Sequence, residues 1–95
     1  MSIVFTSIAR VKDWKAVQRL NREILVGRAR EAGATRYRLY RNVKDASQVL
    51  VLAECPDDDA VQELSRDIGD QLGAVLHDGA WDDRAWEATD CEGIG

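Results

Sequence analysis

The sequence predicts one α+β domain of order strand–helix–strand–strand–helix–strand, with an antiparallel sheet carrying both helices on one face. Three observations predict it. Short runs rich in apolar and β-branched residues alternate with two segments of helical period. The two central runs are separated by a short polar loop, which makes them an antiparallel hairpin. The chain has 95 residues, enough for one core and no more.

The first strand is expected from Ser2 to Arg10. Ile3, Phe5, Ser7 and Ala9 alternate there with Val4, Thr6 and Ile8, and both sets are largely apolar, which implies cover on both faces. Asp13 suits the cap of a helix running from about Trp14 to Ala32. At about 100° per residue, Trp14, Val17, Leu20, Ile24, Leu25, Ala29 and Ala32 gather into one arc that faces a sheet. Asn21 and Arg28 fall inside this arc, seven positions apart and so nearly in line. Either Arg28 carries its guanidinium to the edge while Asn21 bonds nearby backbone, or both line a cavity between helix and sheet.

Gly33 closes the helix in the left-handed turn that glycine favours. The second strand, Thr35 to Asn42, puts Tyr37 and Leu39 on one face and Arg36, Arg38 and Tyr40 on the other. The third, Gln48 to Cys55, is almost continuously apolar. Pro56 and the acids Asp57, Asp58 and Asp59 then mark a helix N-terminus. Its buried face is Ala60, Val61, Leu64 and Ile68. Gly69 and Gly73 are expected to break it, with a second short helical piece to about Leu76. Asp78-Gly79 signals a turn, and a last strand follows from about Asp83 to Thr89. This is a ferredoxin-like unit. One layer of helices covers one sheet face, so the other, also apolar, is expected to bury itself against a second copy, giving a homodimer joined sheet to sheet.

Charge is divided along the chain. Through Lys44 there are eleven bases and three acids; from Asp45 onward there are two bases and fourteen acids, for a net charge of −4. The bases follow no nucleic-acid motif and the acidic half opposes a polyanion, so nucleic acid is not an expected partner. The polarity suits packing of one half against the other, within a chain or across a dimer. The Met-Ser-Ile-Val-Phe start has no basic region and no long apolar run, so neither a signal peptide nor a membrane span is expected, and the expected location is cytoplasmic. Cys55 and Cys91 are expected to be free thiols, although sequence leaves a disulfide open.

No cofactor is expected. One histidine and no Cys-x-x-Cys or His-x-x-x-His spacing argue against a dedicated metal site or haem, and no glycine-rich phosphate loop is present. His77 has the ordinary pKa of a general base at neutral pH, yet a lone histidine beside a turn also fits a structural role. Trp81 and Trp86 are candidates to wall an aromatic ligand, and Trp14 fits a helix anchor. Arg28 is a candidate to hold an enolate or phenolate.

Glu31-Ala-Gly-Ala34, Tyr37-Arg-Leu-Tyr-Arg-Asn42, an apolar strand ending in Glu54 and the strand order together resemble the antibiotic biosynthesis monooxygenase superfamily over essentially the whole chain. Such sequences usually follow that glutamate with an aromatic residue; here Cys55-Pro56 stands in its place, while Asp57-Asp58 keeps the acidic helix start. The resemblance implies a dimeric α+β barrel and a cofactor-free oxidation of phenolic or polyketide-type aromatic substrates by O2. It implies His77 as proton acceptor, Arg28 and Asn21 as oxyanion holders, and Tyr37, Trp81 and Trp86 around the ring. The placing of Arg28 and Asn21 comes from helix geometry rather than from a family motif. The same scaffold also carries cyclases, isomerases and proteins without a known reaction. A non-redox polyketide cyclase or isomerase and a non-enzymatic binding or accessory dimer therefore stay open.

Overall fold

The computed structural model describes residues 2–76, 81–89, 91, 93 and 94. Four strands form one antiparallel sheet: β1 (Ile3–Arg10), β2 (Arg36–Arg41), β3 (Gln48–Cys55) and β4 (Asp82–Glu87), in the order β2-β3-β1-β4. The two most apolar strands are therefore central, and the charged β2 and β4 are the edges, as the control of free strand edges requires. The connections match the sequence reading; β3 has the expected bounds, β1 and β2 are one residue shorter at the ends that differ, and β4 starts one residue earlier and stops two earlier than expected.

Strand alternation sorts side chains onto two faces. The pairings Tyr37–Ala53–Phe5–Ala85 and Leu39–Val51–Ser7–Asp83 run across the face that meets the helices. Phe5, Val51, Ala53 and Cys55 are buried there. The rows Arg38–Leu52–Thr6–Arg84 and Tyr40–Leu50–Ile8–Asp82 cross the other face, which the single chain leaves open.

The first helical stretch is not one continuous α-helix. It comprises α1 (Trp14–Leu20), a π turn (Asn21–Leu25) and α2 (Val26–Glu31). The amide of Val26 donates to the carbonyl of Asn21, five residues back. A π turn places one extra residue in the helix and shifts everything beyond it by about 100°. Val17 and Leu25, eight residues apart, would diverge by about 80° on a straight α-helix; the shift brings them within about 20°. Both are fully buried, with Ala29 one turn further on. The start is capped as expected, the Asp13 carboxylate accepting from the amide of Ala16 at 3.1 Å.

Gly33 sits at φ 93°, ending α2 in the left-handed region. The second helix, α3 (Asp58–Leu72), is capped by Asp57, which accepts from the Ala60 amide at 2.9 Å. It runs unbroken through Gly69, contrary to the expected interruption. Leu64, Ile68 and Leu72 form one buried line and outweigh the roughly 1 kcal/mol by which glycine disfavours a helix interior. Only Gly73 ends it, in a 3-10 turn (Gly73–Val75). The hydroxyls of Ser7 and Ser65 donate to the two oxygens of Asp83, tying β1 and α3 to the edge strand β4. Cys55 is a buried free thiol and Cys91 an exposed one. Among the described residues, no helix is long and apolar enough to cross a membrane.

Candidate functional site

A groove of about 370 Å³ runs between the first helical stretch and β2. Trp14, Asn21 and Arg22 line it from the helical side, and Tyr37, Arg38 and Leu39 from the strand. The local sequence explains each wall. Asp13 starts α1 so that Trp14 opens its first turn, where the Arg41 guanidinium lies 4.8 Å from the centroid of the indole ring. Asn21 follows Val17 by four residues and Trp14 by seven, so α1 turns it to the same side as both, toward the sheet. Alternation on β2 directs Tyr37 toward the helices.

Asn21 and Tyr37 meet directly. The phenol of Tyr37 donates to Oδ1 of Asn21 at 2.5 Å. Burial pushes the Tyr37 pKa far above the usual phenol range. Tyr37 is thus a neutral donor, not a base, and it fixes the Asn21 amide so that its N–H2 group is available to an acceptor in the groove. Arg38 donates to the carbonyl of Tyr37 at 3.2 Å and so leans along the free edge of β2. The groove therefore joins an aromatic wall, an oriented amide donor and two cations, Arg22 and Arg38. Such a set suits an aromatic ligand with an anionic oxygen.

Arg28, Trp81 and Trp86 lie elsewhere. Arg28 is exposed on α2 and does not line the groove. The π turn is the physical reason: it consumes one of the seven residues separating Arg28 from Asn21, leaving the two about 120° apart instead of nearly in line. Arg22, which helical periodicity offered no reason to single out, takes the place expected of Arg28. Trp86 is half exposed on the opposite sheet face, where its indole N–H donates to Thr6 Oγ1 at 2.9 Å. It cannot share a ring with Tyr37. Trp81 packs against the core just ahead of β4, the edge opposite β2, and is not part of the groove. The two edges are about 14 Å apart across three strand spacings. Its Nε1 is buried and has no partner among the described residues. His77 lies outside the described residues.

A second concavity, of about 380 Å³, lies on the open sheet face among Ile8, Tyr40, Gln48 and Leu50. Tyr40 on its wall and Trp86, further along the same face beside Val4, are about half exposed. Among the described residues, no group of three or more His, Cys, Asp or Glu side chains lies close enough together to hold a metal ion.

Comparison with solved structures finds the same architecture in other proteins. SnoaB, a cofactor-independent oxygenase from Streptomyces nogalater crystallised as a mutant, superposes with a TM-score of 0.73 at 17% identity, covering 95% of each chain. A candidate antibiotic biosynthesis monooxygenase from Nitrosomonas europaea gives 0.75 at 13% identity, covering 97% of this chain and 94% of its own. Another candidate of that kind, from Caulobacter crescentus, gives 0.74 at 19%, with 94% and 91% covered. The fold is the antibiotic biosynthesis monooxygenase fold. No family model and no curated protein matches the sequence itself. At these identities the antibiotic biosynthesis monooxygenase likeness is one of architecture, and the chemistry has to be argued from the groove.

Proposed function

We propose that the protein is a cofactor-independent oxygenase that binds a hydroxylated aromatic substrate in the groove between the π turn and β2. The observation that carries this reading is the Tyr37–Asn21 hydrogen bond, which orients an amide donor inside a cleft with aromatic and cationic walls. The fold it shares with a cofactor-independent oxygenase supports it. The ring lies against Trp14, Tyr37 and Leu39. Asn21 donates to the ionised substrate oxygen, and Arg22 and Arg38 favour the anion. His77 is the group assigned to take the proton. The electron-rich carbanion then reacts with O2. One oxygen atom stays on the carbon, turning a methylene into a ketone, and the other leaves as water with the two hydrogens that the carbon has lost.

Two copies joined through their open sheet faces would cover Leu50, Leu52, Tyr40 and Trp86, and we include this homodimer in the reading. The groove lies on the other face, so assembly leaves it accessible. Oxygen uptake with a hydroxylated anthrone, measured against the same solution without protein, tests the activity. Asn21→Ala is expected to lower kcat about 100- to 1000-fold, the effect of removing one oxyanion donor. His77→Ala should lower it about 100-fold, and Arg28→Ala should leave it unchanged. Uptake no faster than the protein-free control refutes the proposal.

One observation favours a second reading. The described walls of the groove include no carboxylate and no histidine, so they offer no ordinary base. A protein that binds aromatic anions without transforming them has the same walls. Binding of the anthrone without oxygen consumption or isomerisation selects that reading.

A further inference from the structure

The groove continues past Tyr37. Val26, Tyr37 and Arg38 also border a further cleft of about 200 Å³, which runs between α2 and the free edge of β2. Its other walls include Ala29, Arg30, Thr35 and Arg36. Along the two clefts stand Arg22, Arg30, Arg36 and Arg38, and among the described residues no carboxylate lines either one. The ion pairs found among the described residues join Arg10 to Asp45 and Arg84 to Asp82, and none uses these four.

Arginines on an edge strand also have a simple protective use, since charge discourages edge-to-edge association. That accounts for Arg36 and Arg38. It does not account for Arg22 and Arg30, which stand on the facing helical stretch, Arg22 lining the groove and Arg30 the further cleft that continues it. Like charges gathered this way repel one another, and an anion between them relieves the repulsion. Guanidinium groups also match the planar fork of an oxyacid.

We infer that the ligand is an aromatic acid, with its ring in the groove at Trp14 and Tyr37 and a carboxylate or phosphate in the further cleft, held by Arg30, Arg36 and Arg38. The inference rests on the proposed reading of the groove as the substrate site and extends it to the class of substrate. The combined space falls within the roughly 300–1000 Å³ of small-molecule sites.

The test compares an anthraquinone carboxylate with its neutral carboxamide by calorimetry, on the wild type and on Arg30→Ala/Arg36→Ala. The acid is expected to bind about tenfold more tightly than the amide at low salt, with the preference shrinking as salt is raised. The double variant should lose that preference while its affinity for the amide changes less than about twofold. Circular dichroism checks that the variant keeps its fold, and both side chains are exposed. A matched aryl phosphate binding more tightly than the carboxylate identifies a phosphate-bearing substrate; the reverse identifies a carboxylic acid.

Equal affinity for acid and amide overturns the inference, as does a preference that survives in the double variant. Oxygen uptake with the corresponding anthrones separates it from the reading beneath. A clear acid preference without oxygen consumption keeps the anion cleft and removes the oxygenase. Consumption with equal kcat/KM for acid and amide does the opposite.

Discussion

Replacing Tyr37 by Phe removes a single oxygen and tests the centre of the site. The ring stays on the helix side of β2, paired across the sheet with Ala53, so packing is preserved. What disappears is the hydrogen bond to Asn21, 2.5 Å long and partly buried. A neutral hydrogen bond contributes about 0.5–1.5 kcal/mol net. Because the groove is open, water can reach the orphaned Asn21 carbonyl, which keeps the loss near 1 kcal/mol rather than at the full cost of a dry unpaired group. For a domain of this size that lowers Tm by about 4–8 °C. The function should suffer more than the fold, because the amide is no longer fixed against rotation; a kcat about tenfold lower is expected from lost orientation. Thermal unfolding followed by circular dichroism, with oxygen uptake on the same samples, gives both quantities. The double-mutant cycle with Asn21→Ala should show a coupling of about 0.5–1.5 kcal/mol. If the two substitutions add to within about 0.3 kcal/mol, the pair does not act as a unit and Tyr37 does not position Asn21.

Three further outcomes are expected. Because burial raises the Tyr37 pKa, the phenol stays protonated in the folded protein above the unfolded value of 10.0. The unfolded chain then binds fewer protons than the folded one, so stability should fall as pH rises above about 10, and Tyr37→Phe should lessen the fall; alkaline urea titrations measure it. Asp83→Ala leaves the fully buried Ser7 hydroxyl without its acceptor and frees Ser65, and should cost about 2 kcal/mol in urea unfolding, with Asp83→Asn costing less. Leu52→Glu places a charge in the middle of the open sheet face; sedimentation should show monomers for the variant and dimers for the wild type, whereas a monomeric wild type at micromolar concentration rejects the proposed assembly.

The local periodicities of the sequence determined the order of elements, the hairpin, both helix starts and the sorting of β2. They could do so because a strand repeats every two residues and a capping carboxylate acts within three, so the causes lie close together in the chain. Tyr37 therefore faces the helices as the alternation requires, and Asp13 and Asp57 cap where acids precede apolar runs. Gly69 was misleading because its helical cost is local while the compensation, Leu64, Ile68 and Leu72 against the sheet, is tertiary. The site depended on tertiary structure more heavily still. A π turn at Asn21–Leu25 leaves no mark in the spacing of apolar residues that α-helical periodicity would recognise, because it is selected by how Val17, Leu25 and Ala29 seat together in the core. That one extra residue turns Arg28 away from the groove, and Arg22 stands on its wall instead. Strand order then decided which aromatics could meet. With β4 at the edge opposite β2, Trp81 and Trp86 are out of reach of Tyr37, and the pairing of Trp86 with Val4 puts it on the far face as well; the partner of Tyr37 is Asn21, sixteen residues away in sequence and 2.5 Å away in the fold.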